Sequence, residues 1–121
     1  MVLVAVDDLL FSSKIRATAK QAGVALTFAR TSEDVVSRAR ELNPSLIIFD
    51  LDSAKVDPLG TIRVLKQDAS LSLIRTIGFV SHVHTQVIAA ARTAGADEVM
   101  ARSTFAAQLA DILNGTAPER S

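Results

Sequence analysis

The chain has 121 residues, 49% hydrophobic and 21% charged, and its thirteen basic and thirteen acidic side chains cancel to a formal charge of zero. A chain of this size forms one globular domain that buries roughly two thirds of the surface its unfolded form exposes, so a single core suffices. Cysteine, Tyr and Trp are absent, which excludes disulfides, thiol catalysis and thiolate metal sites, makes the cytoplasm the expected compartment, and with the balanced charge speaks against direct nucleic-acid binding. The longest apolar run, residues 1–6, is far short of the ~20 residues that span a membrane and lacks the basic residues of a secretory signal.

Val2-Leu3-Val4-Ala5-Val6 is rich in β-branched residues and ended by Asp7 and Asp8, the pattern of a strand buried on both faces of a parallel sheet. Phe11, Ile15, Ala19 and Ala22 follow at helical spacing, with Gly23 as the stop. Residues 24–29 predict a second strand. Thr31-Ser32-Glu33-Asp34 predicts a side-chain cap, and Val35, Val36, Ala39 and Leu42 carry a second helix to the Asn43-Pro44 break. Residues 45–50 read as a third buried strand that again ends in a carboxylate, Asp50. Beyond a polar, turn-prone stretch reaching Pro58, Leu59, Ile62 and Leu65 mark a third helix, and residues 74–80 a fourth strand. Val87, Ile88 and Ala91 belong to a fourth helix closed by Gly95; residues 98–101 form a short fifth strand, and Phe105, Leu109, Ile112 and Leu113 a fifth helix. This alternation predicts an α/β, doubly wound, five-stranded parallel sheet covered by helices on both faces. It occupies residues 1–114 as one domain, and the polar residues 115–121 are expected to be a disordered tail.

In open parallel sheets ligands bind beyond the carboxyl ends of the strands, where strand order reverses. The first strand ends in Asp7-Asp8, the third in Asp50 with Asp52 just beyond, the fourth in Ser81, and the fifth leads into Arg102. Carboxylates converging on one edge repel unless a cation joins them, and hard oxygen ligands favour Mg²⁺. A hydroxyl and a guanidinium opposite them suit an anion such as phosphate. Any one of these acidic residues is equally well a solvated loop residue; their joint placement after the first and third strands singles them out. Other chemistries find less support. Residues 7–14 contain no glycine, so neither a dinucleotide loop nor a phosphate loop follows the first strand, and Ser12 and Ser13 read as polar positions of the first helical turn. There is no Gly-x-Ser-x-Gly elbow. His82 and His84, the only histidines, read as loop or helix-start residues rather than metal ligands.

An acidic pair after the first strand, Asp ending the third, a hydroxyl ending the fourth and a basic residue after the fifth resemble the receiver domain of bacterial two-component response regulators. Gly95-Ala96-Asp97-Glu98 looks like that family's lead-in to its fifth strand, and the resemblance spans about residues 1–113. It implies a flavodoxin-like strand order, 2-1-3-4-5, and a signalling module rather than an enzyme. Such a domain takes a phosphoryl group from a histidine kinase or phosphotransfer protein onto an aspartate beside Mg²⁺, and so controls contacts with an output partner that the sequence does not name. By position the resemblance implies Asp50 as acceptor, Asp7, Asp8, Asp50 and Asp52 at the metal (Asp52 through its backbone carbonyl), and Ser81 and Arg102 as phosphate contacts.

Departures from the family pattern carry information too. Arg102 stands where the family has Lys, Ser103 where it has Pro, and Val99 where it has an aromatic switch residue. His82 replaces a small residue and is a candidate gate over the opening to Asp50. Two readings stay open: a working phosphoryl acceptor, and a phosphorylation-independent pseudo-receiver that acts as a protein-interaction module. A flavin-binding reading is disfavoured, because the phosphate-cradling loop is missing. The resemblance puts the partner surface on the fourth helix, fifth strand and fifth helix, with Ala91 and Val99 as its test positions, and the Ala-rich fourth helix leaves room for a homodimer.

Overall fold

The computed structural model describes residues 1–81 and 85–115. The candidate gate His82, its neighbour His84 and the tail beyond Gly115 lie outside the described residues. Five strands, β1 (Val2–Ala5), β2 (Leu26–Phe28), β3 (Leu46–Asp50), β4 (Arg75–Val80) and β5 (Glu98–Ala101), pair in parallel in the order β2-β1-β3-β4-β5. The helices are α1 (Leu9–Ala22), α2 (Ser32–Leu42), α3 (Pro58–Gln67), α4 (Thr85–Ala94), α5 (Arg102–Ala107) and α6 (Leu109–Leu113). None of the described helices is long and apolar enough to cross a membrane.

The continuous apolar strands are explained by two cores, one on each face of the sheet. Leu3, Ala5, Ile47 and Phe49 point to one face and pack with Val35 of α2, Ile62 of α3 and Ala91 of α4. Val2, Val4, Ile48, Ile77 and Phe79 point to the other and meet Ile15 of α1, Phe105 of α5 and Ile112 of α6. Successive side chains on a strand face opposite ways, so a strand covered on both sides favours apolar residues at every position.

Helix ends follow local chemistry. The Asp8 carboxylate caps α1 by accepting the Phe11 N–H at 3.0 Å, and the Thr31 hydroxyl caps α2 by accepting the Asp34 N–H at 3.1 Å. Gly23 closes α1 in the left-handed region, φ 72°, where a Cβ is costly. Two expectations change. The second strand is only three residues long: the Val24 N–H is still tied back to the Ala19 carbonyl of α1, and Ala25 and Ala29 flank the strand with single hydrogen bonds to β1. The expected fifth helix begins at Arg102 and is interrupted at Gln108, whose N–H reaches back to Thr104, Phe105 and Ala106 carbonyls, before α6 resumes.

Candidate functional site

The strand order reverses between β1 and β3, which lie side by side with Ala5 opposite Phe49. The chain leaving β1 and the end of β3 therefore bring Asp8 and Asp50 to the same edge. Asp50, the last residue of β3, is 8% exposed. Its Oδ1 accepts the backbone N–H of Asp52 at 3.0 Å. Burial pushes the Asp50 carboxyl above its ordinary value, with the charges of Asp52 and Asp8 adding to the rise; the Asp52 N–H and the Arg102 charge oppose it.

Asp52 takes part through its side chain. Its Oδ2 accepts both the N–H and the hydroxyl of Ser81, at 2.8 and 2.7 Å, tying the loop after β3 to the end of β4. The Ser81 hydroxyl is thus directed at Asp52. Asp8 is engaged at both oxygens: Oδ1 caps α1, and Oδ2 accepts Nη2 of Arg102 at 2.6 Å. The Arg102 guanidinium beside it, followed by the Phe11 N–H, holds the Asp8 carboxyl below its ordinary value. Asp7 lines a cavity of about 290 Å³ between α1 and the β2 side of the sheet, together with Ser12, Arg16, Phe28 and Arg30.

Arg102 begins α5, and its guanidinium lies 4.3 Å above the ring of Phe11 and 5.8 Å from that of Phe79. Those rings are joined edge to face at 5.0 Å, and Phe79 stacks on Phe105 at 4.8 Å. This aromatic floor beneath the site is absent from the expectations above. Its sequence signal is the placing of Phe11 three residues after Asp8 and Phe105 three after Arg102, one helical turn on from each site residue. It also accounts for Arg at this position: a planar guanidinium stacks on an aromatic face, whereas an ammonium is a compact, strongly hydrated point charge.

In this arrangement the described carboxylates are not gathered into a Mg²⁺ site. Asp8 accepts N–H donors at both oxygens, Asp7 lines a further cavity, and among the described residues no group of three His, Asp or Glu side chains could hold a metal ion. Of the expected metal group, only Asp8, Asp50 and Asp52 share the mouth, and they share it with a guanidinium.

The surface expectation also changes. Ala91 is fully buried in the core between α4 and the sheet, and Val99 packs against the same cluster with Val87 and Ile88. Ala91 therefore offers no surface to a partner, whereas Val99 is only half-buried.

No family model matches this sequence, and no curated protein sequence does. Solved structures do match. A response regulator from Chloroflexus aurantiacus superposes with a TM-score of 0.84 at 15% identity, covering 98% of this chain and 97% of that one. The fold is that of a signal receiver domain. A receiver domain from Bermanella marisrubri has a TM-score of 0.81 at 23% identity, with 95% of each chain covered. The Mn²⁺-bound form of response regulator Rcp1 has a TM-score of 0.75 at 18% identity, covering 94% of this chain and 88% of that one. The receiver fold thus extends over almost the whole chain, with the carboxyl end of β3 at the mouth just described.

Proposed function

We propose that this chain works as the receiver domain of a two-component relay, with Asp50 as phosphoryl acceptor, and that it controls protein–protein contacts. The observation that carries this reading is the position of Asp50: a buried residue at the switch point of a receiver fold, its carboxylate within reach of the charges of Asp8, Arg102 and Asp52. A buried carboxylate with a raised pKa is a better base, and by the same trend a better nucleophile, than an exposed one. In the proposed step Asp50 Oδ2, the oxygen that does not receive the Asp52 amide, attacks the phosphorus of a phosphohistidine. The new O–P bond forms as the N–P bond breaks, and the imidazole nitrogen keeps the electron pair and takes up a proton. The product carries about −1.5 to −2 charges. Arg102 supplies the cation nearest to it and Ser81 a hydroxyl donor, each after exchanging its present carboxylate partner. A histidine kinase or phosphotransfer protein is the donor on this reading.

A second reading has an observation of its own. Arg102 and Ser81, the two expected phosphate contacts, are both held by carboxylates in this arrangement, as they would be in a pseudo-receiver that never carries phosphate. Intact-mass analysis after incubation with a small phosphodonor separates the two. One added phosphoryl group in the wild type and none in Asp50→Asn is the expected result. An unmodified wild type, under conditions that label an ordinary receiver, moves the chain to the pseudo-receiver class.

A further inference from the structure

We infer that the Arg102 guanidinium is the resident cation of this acidic mouth, holding the place a divalent ion would otherwise take. Three constraints fix it there. One is the ion pair, Nη2 to Asp8 Oδ2 at 2.6 Å. The second is the aromatic floor, with the guanidinium carbon 4.3 Å from the Phe11 centroid and 5.8 Å from that of Phe79. The third is the backbone. Ala101 pairs with Val80 at the end of β5, so Arg102 starts from a position set by the sheet, while Asp8 is anchored as the cap of α1. Neither partner hangs from a long loop. Arg102 is only 31% exposed at its side chain, so the pair is partly screened from water, and the Arg102 charge also counters the repulsion that Asp50 feels from Asp8 and Asp52.

Guanidinium and metal compete for this place. A divalent ion needs oxygen ligands, and Asp8 has one oxygen committed to its helix cap and the other to Arg102. An ion that took Oδ2 would leave the guanidinium unpaired on the Phe11 ring beside a double positive charge. The mouth is neutralised from within, by a side chain shaped to lie flat on its floor.

This inference rests on reading the mouth as the functional site but not on phosphoryl transfer, so its test needs no phosphodonor. Wild type and Arg102→Met are titrated with Mn²⁺ alone, followed by calorimetry and by paramagnetic broadening of amide resonances; Met keeps an unbranched apolar contact with Phe11 and removes the charge. The expected result is no selective broadening at Asp8, Leu9 or Asp50 in the wild type. Folded Arg102→Met should bind Mn²⁺ at least about tenfold more tightly, and Asp8→Asn in the Arg102→Met background should lose that binding. Equal affinity of wild type and Arg102→Met overturns the inference, and so does a folded Arg102→Met that binds no Mn²⁺. Should Arg102→Met fail to fold, the wild-type titration decides alone: selective broadening around Asp8 contradicts a resident guanidinium, and its absence agrees with one. Labelling of Asp50 by a phosphodonor is read separately, so failure of either idea leaves the other identifiable.

Discussion

Asp8 and Asp50 share one mouth, and their carboxyls are moved in opposite directions: Arg102 holds Asp8 down, and burial pushes Asp50 up. The consequences for stability have opposite signs. For Asp8, the stabilisation from the guanidinium is present above the unfolded value of 3.8 and is lost as pH falls through the lower folded one. For Asp50 the folded state holds the proton more tightly than the unfolded chain, so stability falls as pH rises from 3.8 through the raised folded pKa, and the buried charge is a cost above it. Asp50→Asn should therefore raise the thermal midpoint at neutral pH, and its advantage should vanish below pH 3.8, where the wild-type carboxyl is protonated in both states. Thermal unfolding of both proteins across that range checks this; a lower midpoint for Asp50→Asn at neutral pH would show that the Asp50 charge stabilises the fold. At this scale the sequence shows which residues stand at strand ends but not which way they turn. Asp7 and Asp8 are adjacent in sequence, yet Asp8 caps α1 and meets Arg102 while Asp7 lines another cavity. The Ser81–Asp52 contact joins residues 29 apart, and no local pattern announces it.

Elements were the more legible level, for a physical reason. Strands buried on both faces leave long apolar runs, and helices with one covered face leave stripes, so β1, β3, β4 and α1 to α4 stand out in the sequence. Errors fall where that signal thins. The edge strand β2 is half-buried and short, and a stripe running from Phe105 to Leu113 cannot reveal the break at Gln108, because both short helices pack onto the same core. Gly95, read as a helix stop, has a second duty. Its φ is 115°, and a Cβ there would come within 2.6 Å of Cγ of Lys66. The Lys66 ammonium donates to the carbonyls of Ser72 and Ile74 and to Asp97, tying α3 to the entries of β4 and β5. Gly95→Ala should thus destabilise the domain by about 1–3 kcal/mol, through backbone strain and displacement of Lys66. Chemical denaturation measures this, and a loss within the few tenths expected of a neutral surface change would mean that the α4–β5 turn adapts freely.

For the whole molecule, the two cores and the strand order set the location of the chemistry. Right-handed crossovers send α1, α5 and α6 to one face and α2, α3 and α4 to the other, and the reversal between β1 and β3 opens the edge at which Asp8, Asp50, Asp52, Ser81 and Arg102 meet. The location was readable from the order of elements alone. The aromatic floor was not, since Phe11, Phe79 and Phe105 come from α1, β4 and α5 and meet only in the folded chain. Those rings make a guanidinium the natural occupant, and on the proposed reading Arg102 is the charge partner of Asp50 as phosphoryl acceptor. The most direct measurement is to trap the acyl phosphate: the domain is treated with a phosphohistidine-bearing phosphotransfer protein, reduced with borohydride to convert an aspartyl phosphate to homoserine, and digested for peptide sequencing. Homoserine is expected at position 50 and at no other aspartate. An unmodified Asp50, or a label at another residue, would contradict it.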